Sequence, residues 1–113
     1  MAMFDEENVL CASSAYEQKY FLNKKFEKLP EGIKDELKIM CVLFTEDIGG
    51  ILSLEYEDDG SLIFRTEADE GDLLYDEIGS VLKVRQLQNE KRELLEALEL
   101  YYRVMFLGES VEE

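Results

Sequence analysis

From Ser80 to Leu107 the chain reads SVLKVRQLQNEKRELLEALELYYRVMFL, 28 residues without a glycine or a proline. Apolar residues recur at helical spacing through it. An unbroken α-helix of that length would extend about 42 Å at 1.5 Å per residue. A compact domain of this size has a radius of gyration near 13 Å, so such a helix nearly outruns its own domain. The two halves also differ in composition. In RQLQNEKRE (85–93) only Leu87 is apolar, whereas Leu94, Leu95, Leu98, Tyr101, Tyr102, Met105 and Phe106 form a broad apolar face, so the second half reads as core. Val84, Leu87, Leu94 and Leu98 make a thin stripe interrupted by Lys91, too polar there for a long coiled coil. The spacing predicts a helix partly outside the core or packed on a partner. The residues expected at that contact are Val84, Leu87, Leu94, Leu98, Tyr101, Tyr102 and Met105. Tyr101-Tyr102 continues the apolar face, so it reads as core and interface rather than as a ligand cage.

LPEGIKDELKIMCVLFTEDIGG (29–50) predicts a second helix over 31–48. Pro30 suits a first turn, where its missing N–H costs nothing. Ile33, Leu37, Met40, Cys41, Phe44 and Ile48 recur at helical period, and Gly49-Gly50 offers a left-handed stop. The run IMCVLF makes its second half apolar all round, so this helix is expected to be covered on every side.

ILSLEYEDDGSLIFRTE (51–67) predicts a β-hairpin whose register follows from side-chain phase. A two-residue loop would put the apolar sets of the two strands on opposite faces. A three-residue loop of Asp58, Asp59 and Gly60, with Gly60 left-handed, pairs Tyr56 with Leu62 and Leu54 with Phe64. Residues 9–22 hold two β-prone pieces, VLCAS and KYFLN, around AYEQ. They read as a hairpin, with a helix over 7–18 as the rival. The fold expected is α+β: an antiparallel sheet of about four strands in the order ββαββα, with a buried helix and a long C-terminal helix. At 113 residues this is one domain with loose acidic ends at 1–8 and 109–113.

The stretch TEADEGDLLYDE (66–77) is half acidic: Glu67, Asp69, Glu70, Asp72, Asp76 and Glu77. Residues 55–77 carry a net charge of −9 within a total of −15. Carboxylates around a helix N-terminus favour the exposed N–H groups and the dipole there. In this reading Asp69 or Asp72 caps a first helical piece from 72, Gly79 interrupts it, and Ser80 caps the long helix beyond. The functional reading is an acidic patch formed by the same six residues. Asp58 and Asp59 lack the alternating oxygen ligands and distal Glu of a calcium loop, so no metal ligand is assigned.

The sequence has no histidine. That removes Ser-His and Cys-His nucleophile pairs, imidazole acid/base chemistry and most catalytic zinc designs. No glycine-rich phosphate cradle is present, and neither catalytic residues nor a cofactor is expected. The charge opposes nucleic acids and anionic membrane surfaces. No apolar run approaches a membrane span, and the acidic N-terminus is unlike a secretory signal. The expected location is the cytoplasm. Cys11 and Cys41 are expected as reduced thiols.

Three segments carry a resemblance: AYEQKYFLN (15–23), LPEGIKDELKIMCVLFTEDIGGIL (29–52) and DEIGSVLKVRQLQNEKRELLEALELYY (76–102). Together they resemble a family of small, acidic, uncharacterised proteins of anaerobic Firmicutes-type bacteria, known as a domain of unknown function. The resemblance implies a bacterial cytoplasmic source and brings no activity, cofactor or site residue. The function expected from the residues is a non-enzymatic interaction or regulatory module, homodimeric or bound to another protein. The alternatives are an acidic decoy for a basic site on another protein and a metal-dependent hydrolase using carboxylates of 67–77.

Overall fold

The computed structural model describes residues 8–109. Of the two ends expected to be loose, all but Asn8 and Glu109 lie outside the described residues. The elements run β1 (Val9–Ser14), β2 (Lys19–Leu22), a 3-10 turn (Lys24–Phe26), α1 (Glu31–Ile48), β3 (Ile51–Tyr56), β4 (Leu62–Glu67), α2 (Glu77–Glu90) and α3 (Arg92–Phe106). The fold is α+β. Its four strands form one antiparallel sheet in the order β2-β1-β3-β4.

Both hairpins form. Residues 9–22 are strands, not the rival helix. In the β3–β4 hairpin Tyr56 pairs with Leu62 and Leu54 with Phe64. Gly60 has φ +91°, and its N–H donates to Glu57 O at 2.9 Å. The three-residue loop is the one the alternation of Leu52, Leu54 and Tyr56 requires.

α1 packs on one face of the sheet. Its Cys41 Sγ lies 3.8 Å from Cys11 Sγ on β1, and its Thr45 Oγ1 lies 2.8 Å from Ser13 Oγ. Leu37, Met40, Cys41, Phe44, Thr45 and Ile48 are buried there. Contrary to the expectation of cover on every side, Ile39 is 58% and Leu43 56% exposed. Sheet and helices cover the inner face of α1 only, so the outward turn of IMCVLF stays open to solvent.

The long C-terminal helix is divided. Lys91, at φ −106° and ψ 23°, separates α2 from α3. Hydrogen bonding carries across it: Lys91 N–H donates to Leu87 O at 2.8 Å, and Leu95 N–H donates to Lys91 O at 2.9 Å. The Lys91 ammonium instead reaches Glu36 on α1 at 3.0 Å. The break falls at the polar interruption of the apolar stripe. It lets α2 lie along α1 while α3 crosses to the sheet. The radius of gyration is 14.3 Å, close to that of a compact chain.

α3 is fixed to the sheet by specific contacts. Tyr56 O–H donates to Leu98 O at 2.8 Å, and Leu62 N–H donates to Glu99 Oε2 at 2.8 Å. The ring of Tyr102 stacks on Tyr56 at 4.0 Å between centroids, and Phe26 and Phe106 complete the cluster. Among the described residues no helix is long and apolar enough to cross a membrane.

α2 begins later than the sequence suggests. Asp76 is its N-cap, accepting from Gly79 N–H at 2.8 Å. Gly79 therefore lies inside the first turn, where a Cβ would meet the Asp76 carboxylate. Ser80 is not a cap. It is buried, with Oγ accepting from the Tyr75 hydroxyl at 2.8 Å. The expected first helical piece from 72 is two successive turns, in which Asp72 N–H donates to Asp69 O at 3.0 Å and Tyr75 N–H donates to Asp72 O at 3.4 Å.

Candidate protein-interaction face

Most of the stripe expected to meet a partner is used inside the chain. Leu87 and Leu98 are buried, and Val84, Leu94, Tyr101 and Tyr102 pack partly buried against the same core. Met105 alone of the seven is mostly exposed, at 58%. The division at Lys91 explains this shift, because it turns both halves of the stripe onto α1 and the sheet.

Leu100, Phe106 and Leu107 near Met105 are also exposed, and further exposed apolar residues lie on α1 and α2. On α1, Ile39 and Leu43 stand one turn apart; on α2, Ile78 and Leu82 do the same, with Val81 beside them. Leu73 and Leu74, in the turns before α2, are each 93% exposed. α1 and α2 run antiparallel. Glu36 meets Lys91 near the start of α1, and Tyr75, just before α2, lies against Gly49-Gly50 past its end.

Between the two helices runs an open groove of about 440 Å³. Met40, Phe44 and Leu87 line its buried floor, Ile39 and Leu43 one wall, and Asp35, Glu36, Lys83, Glu90 and Lys91 its rim. A sequence reading that looks for one amphipathic helix misses this face, because it needs two helices to be seen side by side. The signal that could have found it is the all-round apolar run IMCVLF, whose outer side is open rather than covered.

The six acidic candidates lie between the end of β4 and the first turn of α2, and three have local structural roles. Asp76 caps α2. Asp72 accepts from the Tyr16 hydroxyl at 2.5 Å and from Leu74 N–H at 3.1 Å. Asp69 N–H donates to the Tyr16 oxygen at 2.8 Å. The Asp72 contact is also the main reason the Tyr16 pKa is raised. Glu67, Glu70 and Glu77 are exposed. The charge of the wider stretch 55–77 is not one surface. Asp58 and Asp59 sit in the turn that opens β4, at the opposite end of that strand from Glu67. Glu55 pairs with Arg65 at 3.1 Å. Among the described residues no group of three or more Asp, Glu or Cys side chains is placed to hold a metal ion.

The two cysteines are free and buried under α1. The hydrogen bond with Cys11, together with burial, pushes the Cys41 thiol well up, so it stays protonated. Burial and the nearby thiols also raise Tyr20, whose hydroxyl is buried without a hydrogen-bond partner. The two thiols are closed off from solvent, whereas the groove between α1 and α2 is open.

A sequence-family profile described as a family of unknown function, DUF6145, matches residues 7–110. No curated protein and no solved structure matches the chain.

Proposed function

Starting from a chain that belongs to the DUF6145 family of unknown function, we propose that it is a non-enzymatic protein-interaction module whose docking face is the α1–α2 surface. The observation that carries this reading is the exposure of Ile39, Leu43, Ile78, Val81 and Leu82 on two adjacent helices. An apolar surface left in water by a folded chain marks a contact site more often than an accident. The lack of histidine supports a binding role over acid/base catalysis. Self-pairing and docking of another protein would both use this face. The proposal places the protein in the cytoplasm, where buried thiols such as Cys11 and Cys41 stay reduced. The acidic-decoy reading has weaker support, because the charge of 55–77 divides between two ends of the β3–β4 hairpin. The metal-dependent hydrolase has no observation in its favour.

The test compares wild type with the double variant Ile39→Ser, Leu43→Ser, first in sedimentation and then in capture from host lysate at high salt. Both sites are solvent-exposed, so the variant keeps its fold by circular dichroism. The reading expects an association, with itself or with another protein, that the variant loses. An association unchanged by the variant would remove the α1–α2 face from the account.

A further inference from the structure

The partner class can be argued from the surroundings of the exposed apolar residues, and this step rests on the docking face just proposed. Those residues all fall in two stretches of chain, 39–48 and 66–82. The two stretches contain eight acids (Glu46, Asp47, Glu67, Asp69, Glu70, Asp72, Asp76 and Glu77) and no lysine or arginine. Antiparallel packing of α1 on α2 brings the stretches to one end of the molecule. Tyr75 closes that end, with its ring against Gly49-Gly50, and so does Tyr16, whose hydroxyl holds Asp72 and Asp69. Lys38 and Lys83 adjoin the apolar residues, Lys83 on the rim of the groove, but carboxylates outnumber these cations at the end where α1 stops and α2 starts.

We propose that the α1–α2 face receives an amphipathic helix of another protein, with an apolar stripe flanked by lysine or arginine. The groove between two helices lying side by side suits a third helix laid along it, with anchors at helical spacing. Its floor is apolar, so the stripe supplies affinity by burial. The flanking cations meet Asp47, Asp76 and Glu77 where α1 ends and α2 begins, which gives orientation and a faster encounter. A second copy of this chain fits the same place poorly. It would bring together two chains each at −15, with no excess of cations on either side to meet the carboxylates.

The test uses the full chain and three synthetic peptides of about 18 residues, some five helical turns. The first places leucines at i, i+3, i+4 and i+7 with lysines elsewhere. The second has the same composition with leucines spread round the helix. The third replaces lysine by glutamate in the first. Titration calorimetry should show one-to-one binding of the first peptide, about tenfold weaker binding of the second, and none of the third. The double variant Leu43→Ser, Leu82→Ser, folded by circular dichroism, should bind the first peptide about tenfold more weakly and the second as wild type does.

Equal binding of the first two peptides would overturn the proposal, since charge alone would then explain it. So would wild-type affinity in the variant, or binding of the glutamate peptide. A dimer in sedimentation that Leu43→Ser dissociates would overturn the helical partner yet leave the docking face standing. A variant without effect on any association would remove both.

Discussion

Tyr56 and the partly buried Tyr20, on the same side of the sheet, make opposite predictions at the residue scale. The Tyr56 hydroxyl donates to Leu98 O and ties β3 to α3. Tyr56→Phe should cost about 1–2 kcal/mol, the net worth of a buried hydrogen bond together with the acceptor it leaves short. The Tyr20 hydroxyl is buried without a partner, so Tyr20→Phe should leave stability unchanged or raise it. Urea midpoints of the two variants check the pair, and a large loss in Tyr20→Phe would mean that its hydroxyl is satisfied after all. The thiol seam adds a pH dependence. Cys41, Tyr20 and Tyr56 all have pKa values raised by the fold. For such groups both states hold the proton at neutral pH, and stability is complete. Above about pH 8.5 for the thiol and pH 10 for the phenols, the unfolded chain releases protons that the folded chain keeps. Stability should therefore fall on the alkaline side, by up to about 1.4 kcal/mol per pH unit for each group involved. Urea unfolding from pH 7 to 11 reads this, and a flat or rising profile would contradict the seam. Little of this scale was legible in the sequence. Cys11 and Cys41 read as reduced thiols, but nothing in their spacing placed one on β1 against the other on α1.

Elements were more legible, and the reasons differ among them. The β3–β4 register could be read because period-2 alternation tolerates no slip: Leu52, Leu54 and Tyr56 must share a face with Leu62 and Phe64. The bounds of α1 could be read because Pro30 and Gly49 mark its ends. The division at Lys91 could not, since Lys is a good helix former and its hydrogen bonds continue on both sides. In the structure the Lys91 ammonium meets Glu36 on α1, a contact between helices that the local sequence does not show. The start of α2 was displaced for a similar reason, because Asp76 and Ser80 are both acceptable caps, and burial of Ser80 under Tyr75 decides between them. Asp76→Ala should then cost about 1 kcal/mol, whereas the same change at Asp69 should cost far less. Gly50 is the tightest joint between elements. It has φ +71°, and a Cβ there would lie 2.5 Å from Glu67 O and 2.6 Å from the Tyr75 ring. Gly50→Ala should destabilise by about 1–3 kcal/mol through left-handed strain alone, and the contact with backbone oxygen adds to it. Thermal unfolding measures both variants. A Gly50→Ala protein as stable as wild type would show that the 68–77 segment is not held there.

For the whole molecule, the sequence located the sheet and one core, but the exposure of its apolar residues differs from the expectation. It read the second half of the C-terminal helix as core, the thin stripe as partly outside the core or on a partner, and the outer side of IMCVLF as covered. In the structure Leu87 and Leu98 are buried, Met105 is exposed, and Ile39 and Leu43 face solvent. Hydrophobic patterning reports which residues need cover, not which element supplies it. The local partners of the acidic candidates were not legible, since Tyr16, which holds Asp72 and Asp69, comes from a distant part of the chain. The central claim is that α1 and α2 together present a docking face. At 13.1 kDa the protein suits a nitrogen–proton correlation titration with the lysine–leucine peptide. The account predicts shifts concentrated on the outer residues of α1 from Asp35 to Asp47 and on α2 from Asp76 to Glu90, with the outer face of the sheet unmoved. Shifts centred on the β3–β4 turn, on the end of α3 around Met105, or on the sheet would contradict it.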